Sequence, residues 1–267
     1  MHNKFFFRKI LISLVLTSAA IFFISCSSKQ VINVAENGDI SCSVEIRLTK
    51  MFTSYINDLS EAAGTGEEIE SYFDVNRIKE AFTALEGVSL EKISPASSSK
   101  PELKLSFVVK NNAEGIKSSA AEGIFSFSEN SGIKKITFNL DRNNYRKLNK
   151  AFAFEDNPVL AGLTPQADNP YTEKEYLELA DYVFGEYAAS LGSGNSSGST
   201  KGADSDRTAP VPGKIISECY AEVEINVKGK VTRADGGKIT GSRASFKIPV
   251  IRFLTLDKPV FLEIEYR

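Results

Sequence analysis

The N-terminus decides which stretch of this chain can fold at all. Lys4, Arg8 and Lys9 make a basic start, residues 10–24 are predominantly apolar, and Ser25-Cys26 followed by the polar Ser27-Ser28-Lys29-Gln30 ends the run. A basic start, a short apolar stretch and small residues are the parts of a cleavable secretory signal. The stretch falls short of the roughly 20 apolar residues that cross a bilayer's hydrocarbon core. Residues 1–25 are therefore expected to leave as a signal peptide, and the remainder to fold in a compartment where disulfides persist. No later stretch approaches the length of a membrane span.

A small residue followed by cysteine at the end of such a run resembles the lipobox of bacterial lipoproteins, with Phe23 where leucine is usual. That resemblance implies lipid attachment at Cys26: a diacylated thiol, cleavage just before it, and acylation of the new amino group. Two or three acyl chains hold a protein firmly, because each buried CH₂ contributes about 0.8 kcal/mol and one chain alone binds only marginally. Residues 26–38 then read as a lipidated tether of membrane origin, and residues 39–267 as a single domain. The expected location is the cell envelope, on the periplasmic face of the inner or outer membrane or at the cell surface.

Composition removes whole classes of function. The single histidine, His2, departs with the signal, and tryptophan is absent. Without imidazole there is no Ser/His or Cys/His nucleophile pair and no His-ligated zinc. Neither an enzyme nor a cofactor or metal site is expected. Three of the 32 basic residues lie in the signal, so 29 face 34 acidic residues and the mature charge is −5. A mildly acidic surface argues against nucleic acid, whose phosphates demand concentrated Lys and Arg.

Beyond Cys26 the chain holds Cys42 and Cys219. Each shares the apolar face of an alternating segment, Ile40-Ser-Cys42-Ser-Val44-Glu-Ile46 and Cys219-Tyr-Ala221-Glu-Val223-Glu-Ile225, so both point toward a core. If the two strands are neighbours a disulfide is geometrically open; if not, both are buried free thiols.

Periodicity sets the order of elements. A strand over 39–49 gives way to helical spacing at Met51, Phe52, Tyr55, Ile56 and Leu59. A second helix follows, N-capped by Asp74 and ended at Gly87. Extended segments at 88–93, 103–109, 125–127 and 136–140 read as an antiparallel meander, with a hairpin at Gly132. Helical spacing returns through Tyr145, Leu148 and Phe152. Thr172 and Glu175 then form a capping box for a helix to Leu191, rich in Tyr176, Tyr182, Phe184 and Tyr187. Residues 192–213 have almost nothing to bury and read as a flexible insertion. Strands at 215–228, after Gly229 to about Arg233, near 238–248 and at 260–266 complete the chain, with a turn at Asp235-Gly236 and the last strand expected inside a sheet. The expected fold class is α+β: a twisted antiparallel β-sheet with helices packed on one face, after an N-terminal lipoprotein signal peptide.

Motifs that formally match known chemistry fail on context. Ser97-Ser-Ser-Lys100 lies in a Ser/Pro loop without its companion elements. Gly64-Thr-Gly66 lacks a third glycine and a preceding strand, and Asp204-x-Asp206 lacks the glycine and distal glutamate of a calcium loop. Glu222 and Glu224 share one strand face about 7 Å apart, as any solvated face allows. The aromatic helix suits either a covering layer on the sheet or a wall of an apolar pocket, with Tyr176, Phe184 and Tyr187 as the candidate ligand contacts.

The lipobox at Cys26, the Tyr171-Thr-Glu-Lys-Glu-Tyr-Leu-Glu-Leu179 helix start, and Gly229-x-Val231 with Gly236-Gly237 and Phe246-x-Ile248-Pro249 together resemble a family of uncharacterised treponeme-type spirochaete lipoproteins. The last 55 residues or so are also similar to the sheet of mycobacterial LppM-type lipoproteins, whose domain is thought to bind lipid-like ligands. The resemblance implies a membrane-tethered, non-enzymatic domain. The expected function is binding of a lipid-like or apolar ligand; the alternative is a structural or assembly lipoprotein that docks another envelope protein.

Overall fold

Cys26 already lies within a β-strand. The computed structural model describes residues 25–50, 53–54, 57, 73, 75–83, 87–94, 101–110, 124–145, 171–193 and 211–267. Its first half contains β1 (Ser25–Val34), β2 (Ile40–Leu48), α1 (Val75–Thr83), β3 (Val88–Ser94), β4 (Glu102–Val109), β5 (Phe125–Asn130) and β6 (Ile133–Leu140). The second half contains α2 (Glu173–Ser193), α3 (Pro212–Ser217), β7 (Tyr220–Val227), β8 (Val231–Asp235) and β9 (Lys238–Thr240). It ends with β10 (Arg243–Pro249), α4 (Val250–Thr255) and β11 (Val260–Tyr266). Several sequence expectations lie outside the described residues: the signal, most of the 51–59 helix, Gly64–Gly66, Asp74 and Ser97–Lys100. Leu148, Phe152 and positions 194–210, with Asp204 and Asp206, lie outside them too.

The expectation of one antiparallel sheet is corrected to two sheets, one of them mixed. A seven-stranded sheet runs β3-β4-β2-β1-β7-β10-β9, and a four-stranded sheet runs β5-β6-β11-β8. The segment expected as a tether is the middle strand of the larger sheet: β1 pairs antiparallel with β2 and parallel with β7. Ile32 and Val34 on its core side supply the burial that a tether would lack. The meander divides likewise, β3 and β4 joining one sheet while β5 and β6 join the other. The β5–β6 hairpin turns at Gly132 as expected, with Ser131 and Gly132 both at positive φ (52° and 75°), the geometry a two-residue hairpin favours.

Period-2 alternation places the core on one face of the larger sheet. Cys42, Val44, Ile46, Leu103, Leu105 and Phe107 are buried on β2 and β4, under Phe82 of α1. Across β1, Ala221, Val223, Ile225, Ala244, Phe246 and Ile248 join a second cluster with Ile136, Leu140, Leu262 and Ile264 of the smaller sheet. Ile32 touches both clusters. Two short helices stand where extended chain was expected or nothing was assigned. α3 starts with Pro at its first turn, and α4 has five of its six residues buried and ends at Leu256 in a left-handed conformation (φ 46°). Short apolar runs such as Val250-Ile251-Arg252-Phe253-Leu254 fit a buried strand and a buried helix equally by period.

The capping box of α2 forms as read. The Glu175 backbone N–H donates to Thr172 Oγ1 at 3.2 Å, while Glu175 Oε2 accepts from the Thr172 N–H at 2.8 Å and its hydroxyl at 2.9 Å. Those bonds from Thr172 hold the Glu175 carboxyl below its usual range. The strand β11 lies inside its sheet, between β6 and β8, so the chain's last strand leaves no open edge.

Candidate functional site

Every second residue of the larger sheet points away from the core, and on that outward face one row is built of charge. Register aligns Lys104 of β4, Glu45 of β2, Lys29 of β1, Glu222 of β7 and Lys247 of β10 in one row across five strands. The signs alternate along it. On the β4–β2 side the charges are closed: Arg47 meets Glu45 at 2.6 Å and Glu102 at 3.4 Å, and Lys104 meets Glu102 at 2.7 Å and Glu45 at 3.4 Å. The hydrogen bond to Glu102 is the main cause holding the Lys104 ammonium above its usual range.

On the β1–β7–β10 side the row opens into a cleft of about 350 Å³, lined by Ser28, Lys29, Arg47, Tyr220, Glu222 and Lys247, among others. Among the described residues Lys29, Glu222 and Lys247 form no ion pair, and neither does Glu218 at the cleft's edge. Lys247 instead lays its Nζ 4.2 Å from the centre of the Tyr220 ring. Glu224, the other carboxylate of that strand face, is held by Arg243 at 3.3 Å and by the Asn226 amide at 3.0 Å. The two glutamates therefore stand in different surroundings, one tied and one open.

Cys26 lies in β1, whose next residue, Ser27, faces Tyr220 across the parallel ladder. The candidate bridge between Cys42 and Cys219 is not present: Cys42 is a buried free thiol, and Cys219 is disulfide-bonded. Register gives the reason. Cys42 aligns with Ile32 and Ile32 with Ile225, so β1 separates the two strands, and Cys219 lies six residues back from Ile225. At about 3.3 Å rise per residue that offset alone is roughly 20 Å, far beyond the ~7 Å Cα limit of a disulfide. Burial pushes the Cys42 thiol up to about 11, against a smaller lowering by the hydrogen bond that Gln30 Nε2 donates to its sulfur at 3.2 Å.

Of the three aromatic candidates on α2, Tyr176 is buried in the core cluster beside Tyr171, edge-on at 6.4 Å between ring centres. Burial raises its phenol far above the usual range. It serves packing. The side chains of Phe184 and Tyr187 lie outside the described residues, and Tyr182 is 87% exposed. None of the described helices is long and apolar enough to cross a membrane. The sequence alone does not reveal the cleft, because Lys29 falls in the segment expected as a tether; Lys29, Glu222 and Lys247 become neighbours only once β1 is placed between β2 and β7.

No family model and no curated protein matches the chain. The resemblance to spirochaete lipoproteins thus finds no support beyond the residues that suggested it. Among solved structures, the chain is similar to the folded domain of LppM from Mycobacterium tuberculosis, at 10% identity and a TM-score of 0.35 over 90% of this chain and 88% of that one. A likeness that weak carries nothing from that domain to this one.

Proposed function

We propose that this chain is an exported envelope protein, held at the membrane by lipid on Cys26, with a binding rather than catalytic body that takes a lipid-like molecule. The observation that carries the reading is that the apolar run ends just before Cys26 and that Cys26 itself lies within β1, with no spacer between the two. A body that begins at its own anchor sits against the headgroups instead of swinging beside them. Two or more acyl chains make such attachment stable. Labelled palmitate should enter the wild-type protein and not a Cys26→Ala variant, and the mature N-terminus should be Cys26. An unlabelled mature protein overturns the reading.

One observation favours a second reading. Cys219 is disulfide-bonded, Cys42 is free, and the sequence has one further cysteine, Cys26, next to Cys219 in register. A sulfur committed to a bridge cannot carry a thioether. The second reading is an exported protein without a lipid, its first strand stapled to the body through Cys26.

A further inference from the structure

The cleft at the start of β1 supports an inference about ligand chemistry, which rests on the proposed anchor only for its place at a membrane. Its walls hold Arg47 and Glu45, which pair with each other, and beside them Lys29, Lys247, Glu218 and Glu222, none of these four in an ion pair among the described residues. Towards β4 the charges are closed by partners at 2.6–3.4 Å, Arg47 and Glu45 at the cleft's side and Lys104 and Glu102 beyond it. Adjacent strands lie about 4.8 Å apart, so Lys29 and Lys247 flank Glu222 from either side and still leave it open. A lone anion entering here meets the glutamates, and a lone cation meets the lysines. A ligand carrying both signs meets complementary charge at each end, and this balance discriminates against singly charged ligands. Tyr220 adds the face of an aromatic ring, which attracts ammonium groups and is already occupied by one, Lys247 Nζ.

We propose that this cleft binds a phosphate–ammonium zwitterion of the phosphoethanolamine or phosphocholine type. Lys29 and Lys247 take the phosphate; Lys247 leaves the Tyr220 ring to do so, and the ligand's ammonium replaces it between that ring and Glu222. Because Ser27 faces Tyr220, the cleft lies beside Cys26, at headgroup depth when lipid holds that residue. The same zwitterion could come from a bilayer lipid or a soluble phosphodiester.

The test is a titration of the mature protein in maltoside micelles, following the Tyr220 ring and Lys247 signals by NMR. Glycerophosphoethanolamine should saturate the shifts, while inorganic phosphate and ethanolamine alone should bind more weakly by about tenfold or more. Lys247→Ala and Glu222→Gln, both on the solvated face, should each weaken binding by about tenfold, and Lys104→Ala, whose charge is already paired, by less than about twofold. Nanodiscs of phosphatidylethanolamine that reproduce the shifts, where phosphatidylglycerol discs do not, assign the source to the bilayer; shifts with the soluble phosphodiester alone assign it to a free metabolite. Equal affinity for inorganic phosphate, or no saturable shift with any zwitterion, overturns the proposal. Palmitate labelling is independent of all these arms, so loss of the anchor reading and loss of the cleft are separate results.

Discussion

At the scale of single residues the middle strand is the anomaly. Ser28 and Gln30 occupy core-side positions of β1, opposite Ile46 and Val44 on one neighbour and Ala221 and Val223 on the other. Gln30 finds the Cys42 sulfur. Ser28 is 2% exposed and its Oγ has no hydrogen-bond partner among the described residues. A buried, unsatisfied hydroxyl costs about 1–3 kcal/mol, so Ser28→Ala should stabilise the fold by about 1 kcal/mol, a rise of roughly 2–4 °C in Tm for a chain of this size. A lower Tm would mean that the hydroxyl is satisfied in solution. Cys42 makes a second prediction. Unfolded, its thiol ionises near 9; folded, near 11. Its contribution is fully present below pH 9 and is lost as pH rises toward 11, by about 1.4 kcal/mol per unit. Urea midpoints should fall over that window, and the fall should shrink in Cys42→Ala, leaving the part due to Tyr176 and Tyr266, whose phenols burial also raises. Alternation placed Cys42 correctly in the core; its relation to Cys219 was not legible, because strand order is a property of the whole sheet and not of either segment.

Elements were legible where a local signal stood alone. Thr172 and Glu175 form the cap their spacing promised, and Gly132 makes the hairpin its neighbours required. Legibility failed where one stretch carried two meanings. Asp235-Gly236 is a turn, as read, yet the strands on either side do not pair in the same sheet: β8 joins β11 and β9 joins β10. The turn is where the chain passes between layers. The chain also changes sheets between β7 and β8, and Gly229 in that link is more tightly enclosed. Its φ is +121°, and a Cβ there would run into the Arg267 carbonyl oxygen, while Lys230 and Arg267 exchange backbone hydrogen bonds at 2.8 and 3.2 Å. Backbone, not a flexible side chain, blocks the space, so Gly229→Ala should cost on the order of 3 kcal/mol or more. Denaturant midpoints measure it, and a loss below about 1 kcal/mol would show that the C-terminal residues yield freely.

For the molecule as a whole, the decisive quantity is what the Cys26 sulfur carries, because β1 makes that residue part of the body. A tether of a dozen residues would let the anchor and the fold behave independently; a middle strand of a seven-stranded sheet does not. The cleft with its open charges, the start of β1 and Cys219 all lie at one end of that sheet. Lipid on Cys26 holds that end to the headgroups and frees Cys219, whereas a bridge staples it and leaves the protein to diffuse. Counting thiols separates the two. The sequence has three cysteines, so the lipidated protein, denatured without reductant, should react with two equivalents of maleimide, from Cys42 and Cys219, while the bridged protein should react with one, from Cys42. In the native state neither count should be reached, because Cys42 and Cys219 are each 4% exposed. Two equivalents accompanied by palmitate label support the anchor and require that the Cys219 bridge be open in the lipidated protein. One equivalent without label would transfer the molecule from the membrane to the surrounding fluid, and the cleft would then have to find its zwitterion in solution.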